Sequence, residues 1–310
     1  MDTANIARAC EQWWQEHGGR HDDPAWLSFL ANIGTLTTRK IVEHSTAHSN
    51  EGRFGMSKAG GCTRYSSLKY LGATEVITGS TRFTFQLGHM VEIYGLATLM
   101  AIGVPIVAAD DNGVQCVARI DPMMMSRTDG MVIPADDDRT WVRMPVSIKS
   151  AGYKMSGRNR DGSWKRYGWA QYPLDGVQGT SPGYWAQMQA EMAGTDTSHA
   201  LLLVVAKDMI KAMESDPILS ERNGSLSFYA EIVERDDQFI EEQLKPVWTE
   251  AWDGVRTARL NPAWYLNKDG KYVLLNPATP KENKALTGTY DPCSYCNLKD
   301  ACVKAIGSAA

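Results

Sequence analysis

The stretch SRTDGMVIPADDDRTWVRMPVSIK, residues 126–149, decides how this chain is read. Ser126–Ile133 and Trp141–Lys149 are short and rich in strand-forming residues, and PADDD after Ile133 is a turn signal. Together they predict a β-hairpin. Side chains alternate along a strand, so Ser147 and Lys149 share one face while Val146 and Ile148 point to the other. Asp129 lies in the first strand and Lys149 ends the second. A carboxylate facing a lysine across a hairpin suits metal-assisted phosphodiester cleavage. The carboxylate would hold Mg²⁺, which prefers hard oxygen ligands, and the lysine would orient a water or offset charge building on the phosphate. Each residue also has a plain reading: Asp-Gly is a turn signature, and a lysine at a strand end is commonly a solvated charge.

Working outward, the first fifty residues read as helical, with Trp13, Trp14, Trp26, Leu27, Phe29 and Leu30 as core candidates. A helix is predicted from about Ser57 to Leu71. Another runs from about Thr84 to Ala101, its apolar residues recurring at three- and four-residue steps. It carries Glu92, a candidate second carboxylate, with His89 one turn earlier on the same face. Val104–Ala108 and Gly113–Asp121 read as further strands. Ser150–Pro182 reads as a long irregular stretch, which in a compact domain is usually functional or disordered. A helix (GYWAQMQAEMAG), a buried strand (ALLLVVA), a second strand (LSFYAEIVE) and a long helix over about Asp236–Arg259 follow. The tail after Pro262 reads as irregular. The fold class is therefore α/β or α+β, a mixed sheet flanked by helices.

CSYCNLKDAC near the end has the form C-x2-C-x5-C, supplying Cys293, Cys296 and Cys302. Cys62, in a Gly-Gly-Cys-Thr-Arg context at a helix start, is the natural fourth ligand. Cys10 competes, as does Cys116, which sits in a strand pattern and reads as a small core residue. Zinc takes four thiolates and so does a four-iron cluster; the spacing fits both. Either would tie residue 62 to the last twenty residues and restrict the unfolded chain.

Bulk properties narrow the class. The chain has 310 residues, 43% hydrophobic and 22% charged, with a net charge of −4. That is ordinary for a globular protein and is not the basic footprint of one that coats nucleic acid. The start shows no signal-peptide pattern. The longest apolar run, around Leu96–Ala109, is broken by Pro105 and is too short to span a bilayer. A cytoplasmic location without membrane attachment is expected, where six cysteines suit metal better than disulfides.

The lone upstream cysteine, the Asp…x-x-Lys hairpin, a glutamine helix and the terminal C-x2-C-x5-C together resemble the RecB-like PD-(D/E)XK exonucleases with an iron–sulfur clasp. That group includes CRISPR-associated RecB-like nucleases, the AddB nuclease domain and phage exonucleases. The resemblance spans about Cys62 to Cys302. It implies a PD-(D/E)XK core with a C-terminal clasp, divided here as a helical segment over 1–56 and a nuclease domain over 57–306. Gly88-His89-Met90-Val91-Glu92 is similar to the helix motif that supplies the first metal ligand, Glu92. Asp129 matches the motif's Asp ligand, Lys149 its catalytic lysine, and the backbone carbonyl of Ile148 a further ligand. Tyr184-Trp185-Ala186-Gln187 resembles the glutamine motif, which gives Gln187 a role in orienting DNA or the active site. The tyrosine expected four residues later is replaced by Glu191. The cysteines carry over as ligands of a [4Fe–4S] cluster, beside Mg²⁺ or Mn²⁺ at the acidic centre.

Position 147 departs from the family, which has Glu or Asp where this chain has Ser147. Three explanations compete: the acid has moved to Glu191 or Asp121, the serine is a deliberate inactivating substitution, or cleavage has been lost and DNA binding kept. The region from Lys149 to Tyr172 interleaves cations with aromatics, among them Lys154, Trp164, Lys165, Arg166 and Tyr167, a composition suited to phosphates and unstacked bases. Arg64 is a further phosphate candidate. The leading expectation is a metal-dependent exonuclease acting on DNA ends or single strands in recombination, replication or repair, alongside partner proteins of those processes. The alternatives are a catalytically weakened DNA-binding or adaptor protein, and a zinc-clasped domain with no role on DNA.

Overall fold

A computed structural model describes residues 3–45, 53–75, 78–108, 116–138, 140–158, 164–207, 225, 227–257, 259–276, 279–288 and 291–309. At 4, 40–45, 153–158, 164–167, 295 and 307–309 it describes the backbone alone.

The chain opens with α1 (Thr3–His17) and α2 (Pro24–Ser45). The short strand β1 (Phe54–Gly55) leads to α3 (Thr63–Tyr70), which starts at Cys62 as its N-cap residue. The helix α4 (Gly79–Ala101) begins earlier than the sequence suggests, because the Thr78 hydroxyl accepts the Thr81 amide and caps it there. Five strands follow: β2 (Ile106–Val107), β3 (Val117–Ile120), β4 (Met124–Arg127), β5 (Gly130–Val132) and β6 (Met144–Ala151).

Ser150–Pro182 is not irregular. It contains the hairpin β7 (Tyr153–Arg158) and β8 (Trp164–Gly168), then α5 (Tyr172–Thr180). The helix α6 (Pro182–Thr195) leads to β9 (His199–Ala206) and β10 (Phe228–Glu234). The long helix predicted after residue 236 is one turn at Asp237–Phe239, a π segment at Ile240–Leu244 and an α-helix at Lys245–Arg256. The tail is also more ordered than expected. It holds the hairpin β11 (Trp264–Leu266) and β12 (Tyr272–Leu274), a helix at Pro280–Thr287 and a last helix at Lys299–Ala309.

The central sheet has the order β10-β9-β6-β5-β2. β5 and β6 pair antiparallel, which is the hairpin read from residues 126–149, with its first strand starting at Gly130. β6 and β9 pair parallel, and the chain between them includes α6. Strand alternation then sorts the interior into two layers. Val146, Ile148, Leu201 and Leu203 pack with Ile93, Leu96 and Ala97 of α4 and with Ile6, Cys10, Trp13 and Phe29 of α1 and α2. Ala200, Leu202 and Val204 face the other way, into a core with Ala186, Met188, Ala190 and Met192 of α6 and with Trp248. A helix thus covers each face of β6.

Gly95 sets how closely α4 approaches. A Cβ there would lie 2.7 Å from Ile148 Cγ2. Of the proposed N-terminal core, Phe29 and Trp13 are buried, but Leu27 and Leu30 are exposed. The aromatic rings Trp13, Trp14, Trp26, Phe29 and Tyr94 pack against one another, some stacked and some edge-on, while those leucines stay outside.

Candidate active site and thiol cluster

The carboxylate of Asp129 directly precedes β5, and its Oδ2 accepts the Ile148 amide at 2.7 Å. That bond fixes the acid against β6. Lys149, one residue on, brings Nζ to 3.9 Å from Asp129 Oδ2. The ammonium also lies 5.5 Å from the centre of the Tyr184 ring, at the first turn of α6. The residues singled out on the hairpin are therefore brought together at the same end of β6.

The helices supply the remaining charge. Glu92 on α4 is buried, with His89 Nδ1 3.6 Å from its Oε2. Glu191 on α6 is buried too, and its Oε1 accepts Gln187 Nε2 at 2.7 Å. So Gln187 steadies Glu191, a partner that the sequence did not assign to it. Burial, with Asp129 adding to it, raises the Glu191 carboxyl to about 7 against the pull of Lys149 and the Gln187 hydrogen bond. Burial works against the Lys149 ammonium, yet Asp129, Glu191, Tyr184 and Glu92 outweigh it and leave its pKa above the usual lysine value. Five side chains, from the β5–β6 hairpin, α4 and α6, thus share one electrostatic site.

Ser147 is buried on the α6 side of the sheet. Its Oγ, like the Glu191 Oε2, has no hydrogen-bond partner among the described residues. Of the two acids considered as replacements for the one missing at 147, Asp121 is ruled out by position. It is an exposed residue paired with Arg53 at 2.8 Å. Glu191 is the acid that shares the site with Lys149 and Asp129. Its placement depends on α6 crossing over β6, although its spacing of four from Gln187 on one helix face was a readable hint.

The other candidates fall in three groups. The cysteines converge: Cys62, Cys293, Cys296 and Cys302 line one cavity with Tyr65, Leu68, Ala263, Leu298 and Lys299. Burial, then the neighbouring Asp291 and the other thiols, pushes Cys293 up to about 12; burial does the same to Cys62, with Cys296 and Cys302 adding to it. Cys10 is buried in the N-terminal core and Cys116 is half-buried just before β3, so neither competitor joins them. Arg64 is half-buried beside the thiols: its Nε donates to the Asn261 carbonyl at 2.6 Å and its Nη1 to Cys302 Sγ at 3.8 Å. The side chains of Lys154, Trp164, Lys165, Arg166 and Tyr167 lie outside the described residues; their backbone forms β7 and β8.

Among the described residues, no group of three or more His, Cys, Asp or Glu side chains is disposed to hold a metal ion as it stands. No described helix is long and apolar enough to cross a membrane.

Neither the protein-family models nor the curated protein sequences give a match to this chain. Among solved structures it is similar to an alkaline exonuclease, LHK-Exo, from Laribacter hongkongensis. The identity is 13% and the TM-score 0.42, over 67% of this chain and 90% of that one. The same exonuclease in complex with dAMP gives 12% identity and a TM-score of 0.42, over 67% and 89%. A protein titled SSO0001 gives 10% identity and a TM-score of 0.37, over 86% and 93%. What the site does is therefore read from this chain's own residues.

Proposed function

We propose that the protein is a metal-dependent DNA nuclease whose third acid is supplied by α6. The observation that carries this reading is the shared site of Asp129, Lys149 and Glu191, with the serine at 147 facing the helix that brings Glu191. Mg²⁺ or Mn²⁺ would be held by Asp129 and Glu191, with Glu92 and the Ile148 carbonyl as further donors. Mg²⁺ typically takes one or two carboxylates and completes its shell with water and substrate phosphate. A buried carboxylate with an unsatisfied oxygen fits a cation. When bound, the ion supplies an activated water and neutralises phosphate charge.

The chain's own groups do the rest. The Ile148 amide holds Asp129 in place, Gln187 holds Glu191, and Tyr184 flanks the Lys149 ammonium. That ammonium, kept charged by the acids around it, offsets the charge that grows on the scissile phosphate. Digestion from DNA ends or on single strands, and a role in recombination, replication or repair, belong to the same proposal. The β7–β8 hairpin follows β6 directly and would guide the strand.

The four clustered cysteines would hold a [4Fe–4S] cluster that pins the tail beside α3. Tetrahedral zinc draws four sulfurs to about 2.3 Å from one point. A cluster spreads its thiolates over separate irons. Four thiols that ring one cavity suit such a cluster. Arg64, donating to Cys302, would balance part of the cluster's negative charge.

The test is cleavage of labelled single- and double-stranded DNA with Mn²⁺. The native chain should cleave, and Asp129→Ala and Lys149→Ala should not. Binding without cleavage by the native chain would instead identify a nuclease-like DNA-binding protein. Cleavage that survives both substitutions would remove this site from the chemistry.

A further inference from the structure

The first half of α4 stands out from the fold. From Gly79 to Met90 its residues are exposed or half-buried, including Phe83 at 65% and Phe85 at 54%. Gly79, Ser80, Thr81, Thr84 and Gly88 are weak helix formers, so the segment is not built merely to sit in water. It contains Arg82 and His89 and no Asp or Glu before Glu92, in a protein with a net charge of −4. At about 100° per residue, Arg82, Phe85, His89 and Glu92 fall within one narrow arc of the helix, spread over roughly 15 Å. Phe83 faces nearly the opposite way.

We propose that this face of α4 is a path for single-stranded DNA leading to the proposed active site, with Arg82 meeting a phosphate and Phe85 stacking on a base. The inference rests on the nuclease reading, since Glu92 anchors the path at its inner end. The partner is chosen by charge and by continuity: a strip that carries Arg82 and an exposed ring, with no acid before Glu92, runs into a cluster of groups suited to phosphodiesters.

The experiment is fluorescence anisotropy of the full chain with a labelled single-stranded oligonucleotide in EDTA, across a salt titration, together with Mn²⁺ cleavage. All three substituted residues are exposed, so folding is not at stake. Phe85→Ala should weaken binding about 10-fold. Arg82→Gln should lower the slope of log affinity against log salt by about 0.7, one phosphate contact on a single strand. Phe83→Ala should leave both unchanged. If the native chain binds and cleaves but neither Arg82→Gln nor Phe85→Ala alters binding, the path is wrong while the nuclease reading stands. Equal loss from Phe83→Ala would overturn the choice of face. Light scattering that shows a dimer dispersed by Phe85→Ala, with DNA affinity unchanged, would make the strip a self-association surface and overturn the proposal. A native chain that neither binds nor cleaves would overturn both readings.

Discussion

Replacing Glu191 by glutamine should stabilise the protein at high pH and leave it unaltered at low pH. Glu191 is buried, and its carboxyl titrates at about 7 in the fold against an ordinary value of 4.5. A folded-state value above the unfolded one means that the unfolded chain releases its proton first. Between 4.5 and 7 the native state therefore holds the extra proton, and stability falls as pH rises. A rise of about 2.5 at about 1.4 kcal/mol per pH unit makes the full loss about 3 kcal/mol. Glutamine imitates the neutral carboxyl and keeps a partner for Gln187, so Glu191→Gln should avoid that loss. For a chain of this length about 3 kcal/mol corresponds to roughly 5 °C in melting temperature. The assay is thermal unfolding of the native chain and the variant in EDTA at pH 4.5 and pH 8. The two should melt together at the lower pH and about 5 °C apart at the higher, with the variant above. Mn²⁺ at pH 8 should close the gap by stabilising the native chain alone. Equal melting at both pH values would refute the placement of Glu191 as a buried acid in this site.

Other outcomes follow from single contacts. Asp129→Asn keeps an acceptor for the Ile148 amide but removes the charge, so cleavage should drop on the order of 100-fold with little change in melting. Asp129→Ala should in addition cost about 1–3 kcal/mol of stability, read from urea midpoints. Gly95→Ala places a methyl 2.7 Å from Ile148 Cγ2; it should destabilise by about 1–3 kcal/mol and lower cleavage by displacing α4, which carries Glu92. Cys302→Ser should lose iron and visible absorption when purified without oxygen, whereas Cys116→Ser should keep both; a colourless, iron-free native protein would dismiss the cluster.

The features legible in the sequence were those carried by local period or spacing. Strand-forming composition and a turn signal gave the β5–β6 hairpin, alternation the shared face of Ser147 and Lys149, and the three- and four-residue step α4 with Glu92. The C-x2-C-x5-C spacing, with Cys62, picked out the four thiols that share a cavity. Other features depended on tertiary placement. Glu191 was only one of two candidates for the missing acid, because it comes to Lys149 through the parallel pairing of β9 with β6 and the placement of α6 on that face, which local pattern does not specify. Gln187 was read as orienting DNA or the active site, and its contact with Glu191, one turn away, is a partner that the sequence did not assign. Polar and glycine-rich composition hid the strands in 150–182, where backbone pairing of β7 with β8 needs no apolar face. The contacts of Arg64 with Asn261 and Cys302 were not legible either, because those partners are about two hundred residues away in the chain.

The central claim is that the acid absent at 147 acts from position 191. The direct measurement is Mn²⁺-dependent DNA cleavage by three chains: the native one, Glu191→Gln, and Glu191→Gln combined with Ser147→Asp. The expected result is cleavage by the first, loss on the order of 100-fold in the second, and recovery in the third as the acid returns to the strand. Cleavage by Glu191→Gln at the native rate would contradict the account.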